Sequence, residues 1–200
     1  LAMGPWAATS SPWLNFDVPI RQLWGERLLL KLEQEPLPVL IGSPKRGHMI
    51  WRLDGLLSVG STAGRDFDDQ QQYLREIPEN ELFAAKPTES ALFEIMTRAT
   101  EVLPVAEEAQ IVAQPVGYRP LSPDGIPLLG PVPGWEGVFL ATGHGTKGIH
   151  LAAASGKLIA DLVIQGTSEL DVPVEAFDPG RFVDQVAEHE TSTTMKVVED

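Results

Sequence analysis

The chain has 200 residues, is 43% hydrophobic and 22% charged, and carries a net charge of −13. That length supports one or two domains with a proper core, and the composition is ordinary for a globular protein. The acidic balance argues against nucleic acid and anionic membrane surfaces, which need a basic footprint; plain solubility is the simpler meaning of the charge.

No cysteine is present, so disulfides, thiolate metal sites and a cysteine nucleophile are excluded, while the compartment stays open. A cytoplasmic setting is the expectation. No apolar run is long enough to span a bilayer, and no signal peptide is visible. The opening LAMGPWA reads as the tail of a strand already under way, as if the sequence began inside a larger protein.

In chain order, short apolar runs separated by Pro and Gly predict strands at 27–32, 37–42, 48–53 and 56–62. Asp54-Gly55 supplies a hairpin turn between the last two. Residues 66–77, acidic and Gln-rich, suit a short exposed helix or a loop. A helix is predicted over 88–103, with Leu92, Ile95, Met96 and Ala99 at helical spacing and Pro104 closing it. Another strand follows at 110–118, then a Pro/Gly-dense loop with at most a short strand at 126–129. A buried strand at 137–143 leads into a helix at 147–165. That helix is apolar on most sides, the pattern of a helix buried inside a domain. The tail from about 183 is polar and expected to fray.

Gly143-His144-Gly145-Thr146-Lys147-Gly148 spells G-x-G-x-x-G between strand and helix. A dinucleotide fold would need a second parallel strand after the helix, but GTSELDVPVEAFDPGRF holds no continuous apolar run. Two other readings fit the loop. It is a tight strand-to-helix turn, or it presents backbone N–H groups at the positive end of a helix to a partly negative ligand group. No histidine pair has metal-ligand spacing, no acidic cluster suggests a cation site, and no Ser/His/Asp arrangement is indicated.

The stretch GYRPLSPDGIPLLGPVPGWEGVFLATGHGTKGIHLAAASGKLIADLV resembles the C-terminal part of the FAD-dependent amine and D-amino-acid oxidoreductases. That family includes glycine oxidase, sarcosine oxidase and D-amino-acid dehydrogenase. The ordered set R-P, S-P-D-G-x-P, L-G and G-H-G-x-x-G before an Ala-rich helix carries the resemblance. VPIRQLWGERLLL, HMIWRLDGLLSVGSTAG and LAMGPWA extend it to roughly residues 1–182.

The resemblance implies an α+β fold: a mostly antiparallel substrate-domain sheet with helices on one face, plus the closing strand, loop and helix of an FAD-binding α/β domain. Residues 1–15 would end the first FAD-binding segment, 16–115 form the substrate-binding domain, 116–182 the C-terminal FAD-domain segment and 183–200 a polar tail. It also implies oxidation of an amino acid or amine substrate by hydride transfer to FAD. Arg119 would pair with the substrate carboxylate. Gly4, Gly143, His144, Gly145, Thr146, Lys147 and Gly148 would face the cofactor. His144 suits packing or hydrogen bonding better than proton shuttling.

Two substrate-facing positions depart from glycine oxidase: His48 stands where a Tyr is expected, and Ala63 where a Met is expected. A second flavin-loop Arg would fall near Thr146. These changes point to an amino acid other than glycine. Absence of cysteine excludes a flavin tethered through that residue type in this segment. The family's ADP-gripping fingerprint would lie before Leu1, so the expected partner is an N-terminal FAD-binding half or a partner subunit. A split heteromeric dehydrogenase and a non-catalytic binding module are the alternatives.

Overall fold

A computed structural model of the chain describes residues 1–43, 47–62, 74–75 and 86–183. The expectations for Ala63, for 66–73 and for the tail from 184 lie outside these residues. The chain divides into two compact units, Gln22–Tyr118 and the combination of Leu1–Arg21 with Arg119–Asp200.

The first unit is built on β1 (Arg21–Lys31), whose alternation buries Leu23, Leu28 and Leu30 and exposes Arg27 and Lys31. β2 (Leu40–Ser43), β3 (Gly47–Trp51) and β4 (Leu57–Gly60) form a meander that reaches β1, and β5 (Leu74–Arg75) lies on its other side. β6 (Gln110–Ala113) and β7 (Val116–Leu121) also pair with β1. Every recorded register in this sheet is antiparallel, as expected. The β3–β4 turn forms where Asp54-Gly55 predicts it: Gly55 has φ 82°, and the Asp54 carboxylate accepts from the Leu56 N–H at 3.1 Å.

Helix α2 (Glu89–Val102), preceded by the single turn α1 (Ser11–Leu14), packs Ile95 and Ala99 onto Leu28, Leu30, Met49, Leu57 and Val59. Full burial of each Leu or Ile contributes about 1.5–3 kcal/mol. Thr88 caps α2 by accepting from the Ala91 N–H at 3.3 Å.

β1 is longer than its apolar run, because polar positions inside it are satisfied. Glu26 is 1% exposed, and both its oxygens are used. Oε1 accepts from Trp24 Nε1 and Thr88 Oγ1, each at 2.8 Å. Oε2 accepts from the Thr88 N–H at 3.0 Å and Gln114 Nε2 at 2.8 Å. The expected strand 110–118 splits at Gln114-Pro115 for a related reason. Gln114 turns to Glu26, and Pro115, with no N–H, offers only its carbonyl, to Arg27 at 3.1 Å.

The second unit holds the hairpin β8 (Leu128–Pro131) and β9 (Phe139–Thr142), with Leu128 opposite Thr142. The Leu1 amine donates to the Phe139 carbonyl at 2.6 Å, and Ala141 N–H donates to the Leu1 carbonyl at 2.9 Å. Ala7, Leu14, Phe16, Val18, Ile20, Leu128, Val132, Leu140 and Phe182 form the core. β8 starts two residues later than expected, because Ile126 is committed to a side-chain-bonded turn. Helix α3 (Gly148–Gln165) ends at Gly166 with φ 75°.

α3 corrects the expectation of a buried helix. Its buried residues are Ser155, Leu158 and Asp161. Two of these are polar and have partners: Ser155 with His144, and Asp161 with Lys157 and with Ser168 at 2.9 Å. Ile149 is 94% and Ile164 78% exposed, so much of the apolar surface is not covered by the described residues of this chain.

Candidate functional site

β9 delivers the chain into the glycine loop. Gly143 is buried with φ 81°, and a Cβ there would sit 3.2 Å from both Ile20 Cδ1 and Leu128 Cδ1. Conformation and space both demand glycine. Gly145 also has positive φ, 52°, and opens a 3-10 turn at Gly145–Lys147. Lys147 N–H closes that turn on the His144 carbonyl at 2.9 Å, and α3 begins at Gly148.

No side chain caps the 3-10 turn or α3, and neither has an acid in its first turn. The first N–H groups of an 18-residue helix therefore keep their donor capacity and partial positive charge, with exposed Lys147 beside them.

His144 holds the loop from within. Its Nε2 lies 2.9 Å from Ser155 Oγ on α3. Burial pushes the imidazole below its ordinary value, favouring the neutral ring. Backbone pairing adds a second tie, an antiparallel bridge between Leu121 and His144. Arg119 is half-buried on the same strand, β7, with its Nη1 nitrogen buried. It lies two positions before Leu121, with Pro120 between, so the two side chains share a face.

Gly4 enters the same unit beside the loop. It has φ 58°, and its carbonyl accepts from Thr142 Oγ1 at 3.2 Å, one residue before Gly143. Arg119, Gly4 and residues 143–148 are thus brought into one unit. His48 belongs to the other unit, half-buried on β3 opposite Gly60. A Cβ on Gly60 would lie 3.2 Å from Arg27 Cβ and in ordinary contact, 3.5 Å, with the His48 ring.

Sequence reading missed two groups of residues here. Ser155 was legible only as a small residue on an Ala-rich helix. The other group is an ion pair: Arg181 Nε and Nη2 donate to Asp124 Oδ2 and Oδ1 at 2.9 and 3.2 Å. Partial burial pushes the Asp124 carboxyl upward. The Arg181 hydrogen bond, the Ile126 N–H and the Arg181 charge outweigh it and hold the group below the usual carboxylate range. Asp124 stood inside the S-P-D-G motif, but its partner lies 57 positions away, where sequence spacing carries no signal.

The structure thus brings a glycine loop at an uncapped, acid-free helix N-terminus next to the strand that carries Arg119. Residues 1–162 match the family described as FAD dependent oxidoreductase. The chain belongs to that family. Over 163 residues it is 36% identical to glycine oxidase of Pseudomonas aeruginosa, and equally to that of Pseudomonas putida. Those alignments take in 82% of this chain and 40% of each relative. Among solved structures, glycine oxidase from Geobacillus kaustophilus superposes with a TM-score of 0.69 at 24% identity, over 88% of this chain and 43% of that one. L-proline dehydrogenase from P. horikoshii gives 0.71 at 21% identity, over 90% and 45%. The chain thus spans less than half the length of these relatives. The likeness bears out the expected α+β fold, and the family bears out FAD as its cofactor.

The residues present fit the flavin end of that cofactor. The loop backbone is shaped by Gly143 and Gly145 at positive φ, and the uncapped helix N-terminus offers N–H donors of the kind an electron-rich ring edge would take. No helix among the described residues is long and apolar enough to cross a membrane, and no cluster of His, Cys, Asp and Glu among them could hold a metal.

Proposed function

We propose that the protein oxidises an amino acid or a related secondary amine. The observation that carries this reading is the Leu121–His144 bridge, which fixes the Arg119 strand against the glycine loop in a member of the FAD-dependent family. FAD, when bound, supplies the hydride acceptor. The substrate loses hydride from the carbon bearing nitrogen, and its nitrogen lone pair forms the C=N bond of an iminium ion, which becomes an imine when its N–H proton passes to water.

Arg119 holds the substrate carboxylate, since its guanidinium fork matches two oxygens and stays charged when partly buried. The N–H groups of residues 143–148 offset the negative charge that arrives with the hydride, and Lys147 adds to that field. His144 keeps the loop in register as a neutral hydrogen-bonding ring. The departures from the glycine oxidase pattern at His48 and Ala63 favour an amino acid other than glycine. If the amine arrives neutral, no strong protein base is needed.

Further protein completes the site in this reading. The relatives are more than twice the aligned length, and the exposed apolar side of α3 suits coverage by an ADP-binding half or a partner subunit.

The test uses the protein expressed from its complete gene, assayed for flavin absorbance and for bleaching by a panel of amino acids. Absence of bound flavin would sink the proposal. Arg119→Ala should raise KM for amino-acid substrates about a hundredfold, the loss expected from an unpaired buried carboxylate. An unchanged KM would remove Arg119 from the site.

A further inference from the structure

Arg181 makes more directed bonds than a surface ion pair requires. Besides its fork onto Asp124, Nη2 donates to the Ile126 carbonyl at 2.8 Å and Nη1 to the Asp178 carbonyl at 2.9 Å. Its guanidinium also lies 4.5 Å from the centroid of the Phe182 ring. The side chain is 17% exposed. One residue thus ties the C-terminal 3-10 segment Pro179–Phe182 to the loop 122–127.

That loop leads directly out of the strand holding Arg119. Pro120, Pro123 and Pro127 cannot donate backbone hydrogen bonds, so local pairing leaves the segment under-determined. Its register is fixed instead by the Leu121–His144 bridge on one side and Asp124 on the other. Asp124 shapes the loop internally, accepting from the Ile126 N–H at 3.0 Å, and Arg181 then fixes the whole turn in place.

We propose that Arg181 is a positioning residue for Arg119: through Asp124 it sets where the end of β7 lies, and hence where the carboxylate-binding guanidinium sits. This rests on the reading of Arg119 as the carboxylate ligand. A lysine at 181 would keep the charge but lose the planar fork that serves Asp124, Ile126 and Asp178 together. The segment itself has other anchors. Phe182 is 5% exposed in the core, and buried Pro179 lies so close to Gly130 that a Cβ there would be 3.1 Å from its Cδ. Arg181 variants should therefore keep the fold.

The experiment uses the complete flavin-bound protein, its Arg181→Lys, Arg181→Ala and Asp124→Asn variants, and Arg119→Ala as reference. Acetate is titrated and the perturbation of the flavin spectrum gives its Kd; flavin content and Tm are measured on the same samples. The expected result is acetate binding weakened about tenfold in all three clamp variants, Lys included, at wild-type flavin content. Acetate Kd within about twofold of wild type overturns the proposal, as does weakening that appears only alongside flavin loss and a lowered Tm. If wild type binds flavin but acetate binding is indifferent to Arg119→Ala, the underlying carboxylate reading fails instead.

Discussion

His144 shows how one side chain links sequence motif, electrostatics and geometry. Burial lowers its pKa, and Ser155 Oγ at 2.9 Å gives the neutral ring a partner. The sign of the pH effect follows from linkage. The unfolded residue titrates near 6.5, while the folded one binds its proton only at lower pH. Between these values the unfolded chain carries more protons, so stability falls as pH drops below about 6.5 and is fully present above it. His144→Gln, which keeps a hydrogen-bonding group but does not titrate, should flatten that part of the Tm-versus-pH curve. An unaltered slope between pH about 5 and 6.5 would show that another group carries it.

At the scale of elements, Thr88 joins a helix to a strand. It caps α2 through Ala91 and donates its hydroxyl to the buried carboxylate of Glu26 on β1. Thr88→Ala removes a cap worth about 1 kcal/mol and leaves Glu26 short of a donor, at about 1–3 kcal/mol more. The sum predicts about 2–4 kcal/mol of destabilisation in urea unfolding, largely restored by Thr88→Ser. A loss below about 0.5 kcal/mol would mean that water replaces the hydroxyl. Elements of this kind were legible where local pattern decides them. α2 followed from Leu92, Ile95, Met96 and Ala99, and the β3–β4 turn from Asp54-Gly55. β1 was read short at its polar end, since Gln22, Trp24 and Glu26 look like surface until their partners are in place. Glu26 depends on Thr88 and Gln114, 62 and 88 positions away, and no periodicity announces such bonds. In the candidate site, motif residues 119 and 143–148 were legible, whereas Arg181 and Ser155 required the tertiary structure.

For the molecule as a whole, the decisive contrast is between a well-formed glycine loop and a helix left open beside it. G-x-G-x-x-G occurs once in the sequence, at 143–148, and among the described residues no parallel strand follows α3. In the proposed reading the loop offers donors to one end of a flavin, and these 200 residues hold no second fingerprint for an ADP moiety. Meanwhile Ile149, Val163 and Ile164 lie 94%, 56% and 78% exposed on α3. Single exposed apolar residues are normal, but several on one helix suit the coverage by further protein proposed above. Both features predict the same behaviour for the 200-residue chain alone. It should elute from a desalting column without FAD even after incubation with excess cofactor, and should enhance the fluorescence of a hydrophobic dye. The protein from the complete gene should retain FAD at about one per chain and bind less dye, as expected when cofactor and apolar face are covered together. Stoichiometric FAD on the isolated chain would show that these residues hold the whole cofactor by themselves, and would return the glycine loop to the role of a dinucleotide fingerprint.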